Sequence, residues 1–128
     1  MEGRRAALVR RLFDCYHRRD RDGLAAMMTE DFRFTTPYDD SIDKARYFEL
    51  CWPASVQIRE NIIERIFEED DAAYVTYRCS TVDGLMFRNT EFFSFAGEQV
   101  RAIDVYFGAS YRDGVFVPQA WHTPPTEG

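Results

Sequence analysis

The sequence predicts an α+β domain in which three N-terminal helices pack against an antiparallel sheet. Three observations carry that reading. Apolar residues in the first turns of the chain recur with helical spacing. From residue 57 the period changes to two and stays there. Turn signals then punctuate the rest, at Glu69-Asp70-Asp71, Asp83-Gly84 and Gly97-Glu98. With 128 residues, 45% of them hydrophobic, there is material for one core, and two would each be marginal. An aromatic share of 16% suits a sheet-rich fold better than a helical bundle.

The elements follow in order. Leu8, Val9, Leu12, Phe13 and Tyr16 gather on one arc of a helix over residues 3–19, with Arg10, Asp14, His17 and Arg18 on the opposite arc. Asp20 or Asp22 caps a second, short helix over 24–28. The alternating stretch 31–37 reads as a first strand ending at Pro37. Ser41 or Asp43 caps a third helix, IDKARYFELCW, which Pro53 closes. Residues 57–68, 72–82, 85–96 and 99–108 are four long strands, and Asp-Gly between two of them is a strong hairpin signal. The domain thus spans 1–109. Residues 110–128 form a tail in which Tyr111, Val115, Phe116, Val117 and Trp121 dock in part, and whose end is mobile.

Charge narrows the function classes. The net charge is −6, and residues 1–22 hold seven Arg against four acids. Arg4, Arg11 and Arg18 recur every seven residues on the polar side of the first helix, which is a solvated face. Nucleic-acid binding needs a net basic footprint, so it is excluded, and an anionic membrane with it. No apolar run has the make-up of a secretory signal or the length of a bilayer span, and the expected location is the cytoplasm. Cys15, Cys51 and Cys79 show no CxxC or Cys/His spacing and read as reduced thiols. Neither His17 nor His122 has a ligand at metal spacing, and no phosphate-cradling glycine loop or dinucleotide fingerprint occurs. No metal and no cofactor are expected.

The stretches DGLAAMMTEDFRFTTP, DKARYFELCWP, FRNTEFFSF and VRAIDVYFG, in that order across residues 6–108, resemble one superfamily. It is the cone-shaped group of nuclear transport factor 2-like, ketosteroid isomerase-like and SnoaL-like polyketide cyclase proteins. The resemblance implies a strongly curved sheet around the helices and a conical, mostly apolar cavity for a small-molecule ligand. It also implies a homodimer through the outer sheet face. It does not fix a function, because members include isomerases, cyclases, dehydratases, hydrolases and pure binders.

Strand facing decides which side chains enter that cavity. A two-residue Asp83-Gly84 turn sets Arg78 opposite Asn89 and Thr76 opposite Glu91, so that Tyr74, Thr76 and Arg78 share a face with Asn89, Glu91, Phe93 and Phe95. Glu91 is then partly desolvated, which raises its pKa, while Arg78 lowers it. The balance makes Glu91 an acid, a base or half of a structural ion pair. By resemblance Glu91 also stands where ketosteroid isomerases carry the acid that hydrogen-bonds the developing enolate oxygen. The isomerase base is replaced by Thr36 and its helix-one tyrosine by Leu12, so that mechanism is not expected. An epoxide-hydrolase Asp-Arg-Asp set is replaced by Thr76, Tyr74 and Val105.

Asp104 is the second candidate acid. A four-residue loop at 96–99 places it beside Glu91, and a three-residue bulged loop turns Ile103, Val105 and Phe107 inward instead. Asn89, Thr36, Tyr74, Tyr16, Trp52 and Phe93 complete the candidate pocket, with Asp39 and Asp40 near its mouth. Three functions remain open on this basis: acid/base catalysis at Glu91, non-catalytic ligand binding, and a protein-interaction module.

Overall fold

A computed structural model describes residues 3–118. Trp121, His122 and the end expected to be mobile lie outside the described residues. The first helix, α1 (Arg4–Arg18), buries Ala6, Leu8, Val9, Leu12 and Cys15, with Phe13 and Tyr16 packed at the margin of the same core. Its polar arc carries Arg4, Arg11 and Arg18, all exposed. α1 ends at Arg19, a left-handed residue whose N–H bonds back to the carbonyls of Cys15 and Tyr16. Asp20 then caps α2 (Arg21–Ala26) by accepting from the Gly23 N–H at 3.0 Å.

The first strand, β1 (Met28–Thr36), turns through Pro37 and Tyr38 into β2 (Asp39–Asp43). β2 is a strand that the sequence reading does not predict at this acidic stretch. It is short, polar and at the sheet edge, so it carries no alternation of its own. Asp43 caps α3 (Lys44–Leu50), accepting from the Arg46 N–H at 2.9 Å. Pro53 sits in the first turn of a 3-10 helix, Trp52–Gln57, where its missing N–H costs nothing. Four long strands follow: β3 (Ile58–Glu69), β4 (Ala72–Thr81), β5 (Leu85–Ala96) and β6 (Gln99–Arg112). β6 runs past residue 109 and turns at Asp113-Gly114 into β7 (Val115–Phe116), which pairs back on it. The sheet thus includes residues expected in the tail.

The sheet order is β2-β1-β6-β5-β4-β3, with β7 added on β6. The order has two free ends, so the sheet is unclosed. All neighbours are antiparallel except β1 and β6, which run parallel, with Phe34 beside Ile103. The all-antiparallel sheet expected from the sequence is therefore a mixed one: the strand between the short helices lines up with the last long strand. Register shifts in the β3–β4 and β5–β6 ladders bend and twist the sheet into a curved wall. At one of them Gly108 is obligatory, since a Cβ there would lie 2.5 Å from the Arg88 carbonyl oxygen. α1 crosses the concave side, over β3 and β4, and the core fills the space between. No helix among the described residues is long and apolar enough to cross a membrane.

One buried cation ties helix to sheet. Arg5, only 8% exposed, occupies the position on α1 that heads the apolar arc Leu8, Val9, Leu12. Its guanidinium donates to the carbonyls of Asp70 and Gly97 and to the Asp71 carboxylate, and lies 5.0 Å from the Phe95 ring centroid. Two hairpin turns, β3–β4 and β5–β6, are thereby fastened to the start of α1. Glu68 accepts from the N–H groups of Gly3 and Arg5, capping the same helix end from the sheet. Asp71 is largely exposed, so its ion pair adds little, and the two carbonyl bonds matter more. Arg5→Ala is expected to lower unfolding free energy by on the order of 3 kcal/mol. Arg5→Lys recovers less than half of that, because an ammonium cannot reach three acceptors spread across a fork. Urea denaturation of the two variants checks both outcomes.

Candidate functional site

The face that each long strand turns toward the helices is set at its turns. Between β4 and β5 the loop has three residues, Val82, Asp83 and Gly84, with Gly84 at φ 93° and its N–H bonded to the Thr81 carbonyl. The ladder therefore pairs Val75 with Glu91 and Tyr77 with Asn89. Val75, Tyr77, Cys79, Asn89, Glu91 and Phe93 are buried on the concave side. Tyr74, Thr76 and Arg78 lie on the outer face, opposite Phe92, Thr90 and Arg88. This corrects the two-residue turn read from Asp-Gly: one residue of slip moves a whole set of side chains to the other face. Arg78 and Tyr74 are outside the cavity, Tyr74 being 51% exposed, and Arg78 forms no pair with Glu91.

Asp104 is also corrected. The β5–β6 turn is a two-residue one, Gly97-Glu98, and by itself would set Asp104 opposite Glu91. A bulge at Arg101, between the pairs Phe95–Val100 and Ser94–Ala102, inserts one residue and inverts the facing. Asp104 pairs with Phe92 on the outer face, while Ile103 and Val105 point inward and are buried. No second carboxylate among the described residues joins Glu91 in lining the concave side.

Between α1, α3 and the concave wall lies a narrow cavity of about 40 Å³. Leu12, Phe13, Phe34, Ile58 and Ile103 supply its apolar surface, and Cys51 and Cys79 add thiols. Its polar groups are Tyr16, Tyr47, Asn61, Tyr77 and Glu91. Glu91 is 8% exposed and accepts a hydrogen bond of 2.6 Å from the Tyr77 hydroxyl. Tyr77 in turn accepts from Asn89 Nδ2 at 3.2 Å, and Asn89 Oδ1 faces the Gly108 N–H at 3.4 Å. The relay fixes the Tyr77 proton toward the carboxyl.

Burial pushes the Glu91 carboxyl up to about 7, against the Tyr77 hydrogen bond, which lowers it. Burial also raises the Tyr77 and Tyr16 phenols, pushes the Cys51 thiol up to about 12 and raises Cys79. Tyrosines and thiols therefore stay neutral at ordinary pH, and Glu91 is the group on this wall that changes charge near neutrality. Tyr16 Oη and Asn61 Oδ1 are buried and have no hydrogen-bond partner among the described residues.

Of the residues expected from the sequence, Glu91 and Tyr16 line the cavity, and Asn89 reaches it through Tyr77. Thr36 does not line it. Its hydroxyl donates to Asp39 Oδ2 at 2.9 Å and accepts from the N–H groups of Tyr38 and Asp39, holding the β1–β2 turn. Trp52 stands behind Tyr16, ring centroids 5.7 Å apart, and Phe93 is fully in the core against Phe13 and Phe95. Asp39 is buried at the hairpin and Asp40 exposed. Tyr77 and Asn61 were missed. The signal for Tyr77 is present in the sequence, because Ala73, Val75, Tyr77 and Cys79 form the more apolar set of their strand.

A family model described as a SnoaL-like domain matches residues 9–103. No curated protein matches the chain. Among solved structures, a candidate SnoaL-like polyketide cyclase from Jannaschia sp. CCS1 superposes with a TM-score of 0.68 at 21% identity, over 80% of this chain and 84% of that one. A candidate ketosteroid isomerase from Kribbella flavida gives 0.66 at 20% identity, over 94% and 82%. An NTF2-like protein of unknown function from Cytophaga hutchinsonii gives 0.67 at 16% identity, over 84% and 92%. At these identities the likeness shows the cone fold alone.

The raised carboxyl has a stability consequence of defined sign. Folded Glu91 takes up its proton near pH 7 and the unfolded side chain near 4.5, so between those values the folded state binds more protons. Its contribution is full below about pH 4.5 and declines as pH rises to about 7. Glu91→Gln removes the titration and keeps an acceptor for Tyr77. The melting temperature of this variant, relative to wild type, is expected to climb between pH 5 and pH 8. The energy involved is about 3 kcal/mol at 1.36 kcal/mol per pKa unit. A pH-independent difference between the two proteins would return the folded carboxyl to its ordinary pKa.

Proposed function

Because the chain belongs to the SnoaL-like domain family, we propose that it binds a small, mostly apolar or aromatic metabolite in the cavity and transfers a proton to or from it at Glu91. Isomerisation, dehydration and aldol-type cyclisation are the reaction classes that such a group serves. The observation that carries the reading is a single carboxyl, buried among aromatic rings and balanced near neutral pH, with a neutral phenol fixed beside it. A general acid or base works best when its pKa lies near the working pH. Protonated, Glu91 donates to a ligand carbonyl as charge develops on the oxygen. Ionised, it removes a proton from an adjacent carbon, with Tyr77 stabilising the carboxylate. Asn89 orients Tyr77 and does not touch the ligand. Three free, buried thiols fit a reducing compartment, the cytoplasm.

A second feature favours assembly. On the outer face Phe67 (69% exposed), Tyr74 and Phe92 stand opposite one another across β3, β4 and β5, and Tyr106 (57% exposed) lies beside them on β6. The Tyr74 and Phe92 rings approach to 4.7 Å. An apolar aromatic patch of this kind marks an interaction surface, and we assign it to a second copy of the chain.

Two experiments test these readings. In a thermal-shift screen of steroids, polyketide-like aromatics, terpenoids and short keto acids, one class is expected to raise the melting temperature by several degrees. A ligand at a hundredfold excess over its Kd stabilises by about 2.7 kcal/mol. Glu91→Gln is expected to bind the same class and to lose turnover at least a hundredfold. Equal turnover in the two proteins would remove Glu91 from the mechanism. For assembly, wild type is expected to sediment as a dimer and Tyr74→Asp as a monomer. A monomeric wild type at micromolar concentration overturns the assignment.

A further inference from the structure

Tyr16 and Asn61 are polar cavity groups outside the Glu91–Tyr77–Asn89 relay. Tyr16 Oη, from α1, and Asn61 Oδ1, from β3, line the same space, are buried, and find no hydrogen-bond partner among the described residues. Their surroundings offer little: Leu12 and Phe13 flank Tyr16 on its helix, the Trp52 ring meets it edge-on, and Asn61 pairs with Cys79 across the ladder. A buried polar atom without a partner is costly, and each one calls for an explanation. Asn61 also stands apart from the relay. Its row across the sheet runs through Cys79 to Phe87, four residues along β5 from Glu91.

We infer that Tyr16 and Asn61 form a second polar contact point in the cavity, one that selects ligands carrying a hydroxyl group. The inference rests on the cavity being the ligand site and adds the class of ligand. Asn61 Oδ1 can only accept, so the group facing it must donate. Tyr16 Oη can do either. A hydroxyl satisfies both at once, giving its proton to Asn61 and accepting the Tyr16 proton. A ketone satisfies Tyr16 alone and leaves Asn61 buried and unpaired, and a methyl group leaves both. The preferred ligand is therefore an oxygenated apolar molecule with a carbonyl for Glu91 and a separate hydroxyl for Tyr16 and Asn61.

Matched probes test this: 1-tetralone, which has the carbonyl alone, against 6-hydroxy-1-tetralone, with affinities from calorimetry for wild type, Tyr16→Phe and Asn61→Ala. Wild type is expected to favour the hydroxylated probe by about tenfold, the worth of one well-formed buried hydrogen bond. In either variant the preference is expected to fall to about twofold or less, with the affinity for 1-tetralone changing less than that for the hydroxylated probe. Tyr16→Phe without ligand is expected to melt at or above the wild-type temperature, since it removes a polar atom that packing alone does not satisfy. Equal binding of the two probes by wild type overturns the hydroxyl site and leaves the cavity reading standing. A preference that survives in both variants also overturns it, and assigns the hydroxyl to Glu91 and Tyr77. Failure of both probes to bind overturns the cavity reading and this inference together.

Discussion

Each long strand here has one face that can be buried and one that cannot, and everything else depends on which is turned inward. In β4 the alternatives are Val75, Tyr77 and Cys79 or Tyr74, Thr76 and Arg78. Burying the second set would place an arginine on an apolar wall without a carboxylate directly opposite, at a cost of several kcal/mol. The observed choice is held locally. Thr81 accepts from the Leu85 N–H, its hydroxyl bonds the Asp83 carboxylate, and Arg112 reaches across from β6 to the Asp83 carbonyl at 2.7 Å. In β6 the bulge at Arg101 plays the corresponding part, turning Ile103 and Val105 into the core.

That constraint also explains what could be read from the chain and what could not. Signals confined to a few residues were legible: the amphipathic arc of α1, the Asp20 and Asp43 caps, the turn residues, the extents of β3, β4 and β5. So was the family resemblance, which rests on the order of such segments. The register was not legible, because Asp83-Gly84 reads as a two-residue turn and Val82 belongs to the loop as well. Giving the apolar set Ala73, Val75, Tyr77, Cys79 more weight than the turn would have recovered Tyr77 and removed Arg78 and Tyr74 from the site. Other features leave no local trace. The bulge at Arg101, the parallel pairing of β1 with β6 and the polar edge strand β2 are settled by contacts between distant segments. Arg5 lies between these cases: a cation on the apolar arc of a helix is a visible anomaly, but its acceptors are two hairpin turns more than sixty residues away.

The register further determines what Glu91 can do. A carboxyl facing a buried arginine would be held ionised, a fixed charge balanced by a fixed charge. On the observed face it meets a phenol and an apolar wall instead. Burial favours the neutral acid and outweighs the hydrogen bond from Tyr77, which favours the carboxylate, so the carboxyl is carried from its ordinary value up to about 7. A group in that balance can both give and take a proton near pH 7, which a saturated ion pair cannot. Asn89 preserves the balance indirectly. By occupying the Tyr77 lone pair it keeps the phenol proton directed at Glu91, without adding a charge to the wall.

The same reasoning separates the two ends of the cavity. Around Glu91 the protein provides a partner, Tyr77, so a ligand there would share the carboxyl with that phenol. Around Tyr16 Oη and Asn61 Oδ1 no described residue provides one, which costs the fold stability. A core shaped only for stability would replace both with apolar residues of similar size, since the apolar neighbours are already in place. Leucine at 61 and phenylalanine at 16 would pack against Ile58, Cys79 and Trp52 with no polar atom left over. Two polar groups without a described partner on an otherwise apolar wall are the feature that the proposed hydroxyl contact would complete.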